Sequence, residues 1–358
     1  MIKKTDGENV MEERYVAYVS TYTKSGDKGI RIYDVDVKAG RLSEREQVTI
    51  TNSSYVTISH NQKFVYSITD MGVEAFKIQK DGGLKSISSA GINGMRGCYL
   101  STDYTDSFLF VAGYHDGKIT VLRLNADGTV GEICDEIFHQ GVGTVTERTF
   151  TPHVSCVKMT RDNKYLCAAD MGIDHIKVYK LDHETGKLKI ADIVRCEQGS
   201  APRLIKFRGD GKYAYVLNQL HHTIEVYDYH ELNGFPEFTR IQQISTANDY
   251  HTSDTAAYAL KFSRDFKYLF CSNAGDNSVG AYSIDAKTGI LKKLFILPVS
   301  GDFPKDVAIF PDTKHLISLN HESDTMSFFD LDLKNNVIIM NGPMLKVPKG
   351  NCIIMKQL

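Results

Sequence analysis

No run in this sequence approaches the ~20 consecutive apolar residues that a membrane-spanning helix needs. The opening residues, MIKKTDGENVMEER, are polar and carry no apolar core of the secretory-signal kind, so residues 1–13 read as a disordered lead-in. Neither sign of charge predominates. Lys and Arg number 42 against 44 Asp and Glu, a formal net charge of −2, and no global field favours nucleic acid or a membrane surface. The 7 cysteines include no CxxC pair and no zinc-like His–Cys spacing, which points to reduced thiols in a cytoplasmic protein. A Gly-rich phosphate loop opening a helix is missing as well.

What the sequence does have is a repeat. Residues 151–188 contain three short apolar runs, VSCVKM, KYLCAAD and HIKVYKLD, separated by the turns RDNK and MGID and closed by HETG. Runs of this length bounded by Asp, Asn and Gly read as antiparallel strands joined by hairpins, with no room for a helix. The middle run recurs from Arg14, Lys63, Ser107, Lys164, Lys212, Lys267 and Lys314, at spacings of roughly 45–55 residues. The run before it recurs from Ser53, Arg96, His153, Arg203, Ala256, Lys305 and Lys349. The chain therefore opens with a middle run that has no partner before it and ends with an inner run that has none after it. A linear array would leave both ends as open sheet edges. Closing the chain on itself pairs them. The expectation is an all-β, seven-bladed β-propeller of four-stranded antiparallel blades, a single domain over residues 14–358, with the first blade closed by the C-terminal strand.

In a propeller the start of each inner run and the end of each middle run lie on one face. The two long connections, residues 139–152 and 245–254, should overhang that face, where binding loops usually lie. Around the same mouth a basic residue follows proline in four blades: Pro152-His153, Pro202-Arg203, Pro304-Lys305 and Pro348-Lys349. Blade three offers Arg96. Such a ring in a chain of slightly negative charge suits a small anion, carboxylate or phosphate. The competing expectation is that these side chains are solvated or paired with Asp170, Asp174, Asp302 or Asp306. At the ends of the middle runs stand Asn218-Gln219, Asn273 and Asn320-His321, where asparagine is more often a turn former than a ligand. His251 lies in the second overhanging connection.

The segments PHVSCVKMTRDNKYLCAADMGIDHIKVYKLD, APRLIKFRGDGKYAYVLNQL and YALKFSRDFKYLFCSNAGDNSVGAYSIDAKTG resemble the seven-bladed lactonase family. That family includes bacterial 6-phosphogluconolactonases of the propeller type and fungal carboxy-muconate lactonizing enzymes. The resemblance covers the chain from about Arg14. It implies His153 as base or proton shuttle and Arg203 as the group holding a carboxylate or polarising the carbonyl. Gln219 stands where the family has a glutamate, Ala274 and Lys305 where it has arginines. Gln219 can orient a water but cannot take a proton. Lys305, Arg96 and Lys349 would supply charge for a phosphate, and Asn218, Asn273 and His251 complete the candidate substrate-binding set. No metal or organic cofactor is implied.

Two readings stay open. One is a lactone hydrolase of carbohydrate metabolism acting on an anionic sugar lactone, impaired by the changes at Gln219 and Ala274. The other is a non-catalytic propeller that binds a small anion or a protein partner. A metal-dependent gluconolactonase-type propeller would want a carboxylate-rich channel, and this mouth is basic.

Overall fold

The computed structural model describes residues 13–23, 28–143, 151–248 and 255–358. The proposed lead-in lies almost wholly outside them. Among the described residues the regular elements are all β-strands, arranged as seven antiparallel sheets. The fourth sheet shows the plan: Val154–Met159, Tyr165–Asp170, His175–Leu181 and Leu188–Arg195 follow one another from the inside outward. The turns foreseen from RDNK, MGID and HETG contain Asn163, Asp174 and Gly186 at positive φ. These residue types tolerate the left-handed region that tight turns require.

Burial explains why the middle runs are continuously apolar. Tyr165–Asp170 is buried at every position, because each blade packs against a neighbour on both faces. The outer strand Leu188–Arg195 has only exposed and half-buried residues, as a sheet edge facing water should.

The ring closes as the run order requires. Tyr15–Thr21 pairs on one side with Ile30–Asp36 and on the other with Gly350–Gln357, in the register Tyr15↔Gln357 and Val19↔Ile353. Blade seven differs in its outer edge, where Leu345–Lys346 adds a short segment beside Val337–Met340.

Neighbouring blades are latched by one recurring hydrogen bond. A buried tyrosine in the second strand donates its hydroxyl to a glycine carbonyl in the outer turn of the next blade. The pairs are Tyr18–Gly82 (2.9 Å), Tyr66–Gly128 (3.2 Å), Tyr165–Gly234 (2.9 Å) and Tyr215–Gly289 (2.8 Å). A phenol buried for its apolar ring needs a partner for its hydroxyl, and the turn carbonyl supplies it. The seven cysteines are all unpaired.

Candidate functional site

The innermost strands are not regular. In five blades the pairing register breaks near the strand entry, leaving one or two residues out of the ladder. These are Ser155 in blade four, Arg203 in blade five, Tyr258 and Ala259 in blade six, Lys305 in blade seven and Asn351 in blade one. A bulge releases a residue from strict alternation and re-aims its side chain. All six border one cavity of about 360 Å³, to which every blade contributes.

Arg203 is the most firmly held of them. Its Nη1 donates to Gln219 Oε1 at 2.7 Å and its Nε to the Tyr258 carbonyl at 3.0 Å, while the guanidinium lies over the Tyr258 ring. Lys305 Nζ donates to Asn351 Oδ1 at 2.7 Å. Tyr22 stands between two cations, with Lys305 Nζ 4.7 Å and the Arg96 guanidinium carbon 4.8 Å from its ring centre. Lys206 and Lys261 border the same cavity, Lys206 donating to the Tyr99 hydroxyl at 3.1 Å. Among the described residues the one carboxylate on this wall, Asp306, is bound to Lys261 at 3.0 Å and to the Ile353 amide at 2.9 Å. Four cationic side chains against one committed carboxylate give the cavity an affinity for anions.

That excess shifts the lysines. Burial, reinforced by Arg203, Arg96 and Lys349 against the opposing effect of Glu322, brings Lys305 down to about 7. Burial and the charge of Lys261 also lower Lys206. Burial works against the Lys261 ammonium too, but Asp306 and Cys352 together outweigh it and the net shift is upward.

The proline–basic dipeptides turn out to occupy two different registers. Pro202 and Pro304 are paired residues, opposite Asn218 and Asn320, which puts Arg203 and Lys305 on the bulge. His153 and Lys349 instead precede the first strand residues, Val154 and Gly350, so Ser155 and Asn351 take the bulge in those blades. His153 does not border the cavity. Its ring stacks on Tyr114 at 4.4 Å, and its Nδ1–H donates to the Tyr114 carbonyl at 2.7 Å. Tyr114 forms the cavity wall in front of it. Lys349 does not border the cavity either: it pairs with Glu322 at 3.0 Å, a carboxylate outside the four expected as partners. Arg96 reaches the wall only through Tyr22 and touches Asp70 at 3.4 Å.

Asn218 and Asn273, expected in the substrate-binding set, do not reach the cavity. Both are fully buried and lie outside the cavity lining. Their side-chain amides tie down turns, Asn218 to Thr223 Oγ1 at 3.1 Å and Asn273 to the Thr246 carbonyl and Ser278 Oγ. Ala274 is buried beside them. His251 lies outside the described residues, as do residues 144–150 and 249–254 of the two overhanging connections.

Sequence reading missed the aromatic walls. Tyr22, Tyr114 and Tyr258 all border the cavity, as do His115 and Asn351. Tyr22 follows the first middle run, and Tyr114-His115 open the turn after the third. The same position after two other middle runs, held by Gln219 and His321, was the available signal. Tyr258 sits one residue beyond the position compared between blades, which only the bulge register reveals.

Comparison with known proteins agrees with this architecture. A family model described as "Lactonase, 7-bladed beta-propeller" matches residues 16–355. The chain is similar to a Bacillus subtilis protein named 6-phosphogluconolactonase, 29% identical over 346 residues, spanning 95% of this chain and 98% of that one. It is similar to a 6-phosphogluconolactonase of Formosa agariphila, 28% identical over 348 residues, spanning 93% and 95%. Among solved structures it resembles the periplasmic gluconolactonase of Pseudomonas aeruginosa, with a TM-score of 0.88 at 26% identity over 96% of this chain and 99% of that one.

Proposed function

The chain belongs to the seven-bladed β-propeller lactonase family, and from that premise we propose that it opens the ring ester of a small anionic sugar lactone, of the 6-phosphogluconolactone type, by addition of water. The observation that carries this reading is the bulged Arg203, fixed by Gln219 and Tyr258 at the wall of a cationic cavity. A cavity of about 360 Å³ suits a single phosphorylated sugar ring. Hydrolysis needs a donor where negative charge develops on the carbonyl oxygen, and a fixed guanidinium in a largely buried site supplies one. Tyr22, Tyr114 and Tyr258 give this cavity aromatic walls against which a sugar ring can pack. His153 acts in this reading as a positioning residue, holding Tyr114 by its carbonyl and ring face.

The test is hydrolysis of 6-phosphogluconolactone against its spontaneous opening. The wild type should exceed the background, and Arg203→Ala should lose about 10²–10³ of the enzymatic rate, the usual cost of one oxyanion donor. Equal rates for the two proteins would refute the assignment.

A second reading has one observation in its favour. Gln219 holds Arg203 with an amide, which cannot take a proton. A non-catalytic receptor for phosphosugars or sugar acids would show a ligand-dependent rise in melting temperature with no turnover of any lactone.

A further inference from the structure

We propose that Lys305 is the base of this site, taking a proton from the attacking water and returning it to the departing ring oxygen; the inference rests on the lactone reading above. The bulge in Pro304–Ile309 aims Lys305 into the cavity. Asn351 Oδ1 accepts one of its N–H groups at 2.7 Å, which anchors the amine through a neutral acceptor. The carboxylates closest in the fold are engaged elsewhere, Asp306 with Lys261 at 3.0 Å and Glu322 with Lys349 at 3.0 Å. The charged and titratable groups that face it are Arg203, Arg96, Lys349, Glu322 and His321, with the Tyr22 ring above. Three cations outnumber one paired carboxylate there. Burial above all, and then this excess of cations, disfavours the ammonium form, and the amine exchanges its proton near neutral pH.

The other groups on the wall serve less well. Lys261 is held charged by Asp306. Burial raises Tyr22, Tyr55 and Tyr99 away from the neutral range. Lys206 donates to the Tyr99 hydroxyl much as Lys305 does to Asn351, but the cation beside it is Lys261 and not the oxyanion donor Arg203. His115 is the remaining competitor, an exposed ring lying edge-on to Tyr114 at 5.3 Å. Lys305 has the advantage of standing, like Arg203, on an inner-strand bulge at the cavity wall, close enough for the guanidinium to act on it. Base and oxyanion donor thus border the same cavity.

The steps balance without a co-reactant. Water oxygen bonds to the lactone carbonyl carbon while Lys305 Nζ accepts its proton. Arg203 binds the oxyanion. Collapse of the tetrahedral adduct breaks the ring carbon–oxygen bond, and the ring oxygen leaves as a hydroxyl with the proton from Lys305. The amine is restored and the new acid ionises into solvent.

The experiment uses the full chain and 6-phosphogluconolactone, with spontaneous opening subtracted at each pH. Lys305→Arg keeps the cation and cannot release its proton near neutrality. It should lose about 10²–10³ in kcat, within the range for a general base, while KM stays within about threefold. The decline of wild-type activity as pH drops below about 7 should disappear with it. His115→Ala should retain that decline. Competitive acetylation with acetic anhydride across the pH range, read by mass spectrometry on the Lys305 peptide, reports the amine without any substrate and should show a half-point near neutral pH. An active wild type whose Lys305→Arg variant matches it in kcat and pH profile overturns the proposal and leaves the lactone reading standing. So does a pH profile lost in His115→Ala, or a Lys305 that resists acetylation up to pH of about 9 where exposed lysines begin to react. A wild type inert on the lactone ends both readings.

Discussion

The guanidinium carbon of Arg203 lies 3.5 Å from the centre of the Tyr258 ring. Both residues leave the ladder at bulges in adjacent inner strands, so the contact joins blades five and six across the cavity wall. A cation over an aromatic face gains ~0.5–2 kcal/mol, which corresponds to about 2- to 30-fold in affinity. Tyr258→Ala should weaken binding of 6-phosphogluconate by that factor, measured by titration calorimetry. Tyr258→Phe keeps the ring and the backbone carbonyl that accepts Arg203 Nε, and should bind within about twofold of wild type. Unchanged affinity in the alanine variant would mean that Gln219 and the backbone carbonyl of residue 258 suffice to orient the arginine.

The tyrosine–glycine latches separate two costs that usually come together. Gly128 and Gly234 each accept a tyrosine hydroxyl, and both have positive φ, 85° and 82°. A Cβ at Gly128 would meet the Phe64 ring at 2.2 Å, whereas one at Gly234 meets nothing within 4 Å. Gly234→Ala should therefore cost only the backbone strain of an L-residue in the left-handed region, about 1–2 kcal/mol. Gly128→Ala adds overpacking of about 1–3 kcal/mol on top of that strain. Urea denaturation of both variants checks the order, and a Gly128 variant as stable as the Gly234 variant would show that Phe64 can move aside freely.

The fold was legible in the sequence because its cause is periodic. The unpaired middle run at Tyr15 and the unpaired inner run at Lys349 implied a closed ring, and Val19 does face Ile353. The site was legible only in part, because its cause is a break in that period. Pro202-Arg203 and Pro152-His153 are alike as letters, yet one proline is paired within its strand and the other precedes it. A shift of this kind moves a side chain from the cavity to a neighbouring ring, and nothing in the dipeptide marks it. Asn218 and Asn273 had the turn-forming role that their residue type suggests. Arg203 and Lys305 border the cavity because the bulge lies next to their strand entry, where the comparison between blades was made, and Gln219 borders it because it follows the second strand of blade five.

Behind the cavity wall a buried histidine should tie the stability of blade four to pH. The neutral tautomer of His139 donates from Nδ1 to Asp170 Oδ2 at 2.7 Å, and its Nε2 accepts the Tyr179 hydroxyl at 3.1 Å. The other oxygen of Asp170 accepts the amides of His153 and Gly172, at 2.7 Å and 2.9 Å, so the same carboxylate secures the strand entry. Burial lowers His139 below the ordinary histidine value, against the raising effect of Asp170. The unfolded chain therefore binds this proton at higher pH than the folded one does. The stabilisation is present above the unfolded value of about 6.5 and is lost as pH falls below it. Urea midpoints of the wild type should drop between pH of about 7 and 5. His139→Gln keeps a donor for Asp170 and cannot titrate, so its midpoint should fall less steeply over the same interval. Some slope should persist in the variant, because burial lowers His60, His175 and His321 in the same direction. A variant whose midpoint tracks the wild type at every pH would place the sensitivity in those three histidines instead.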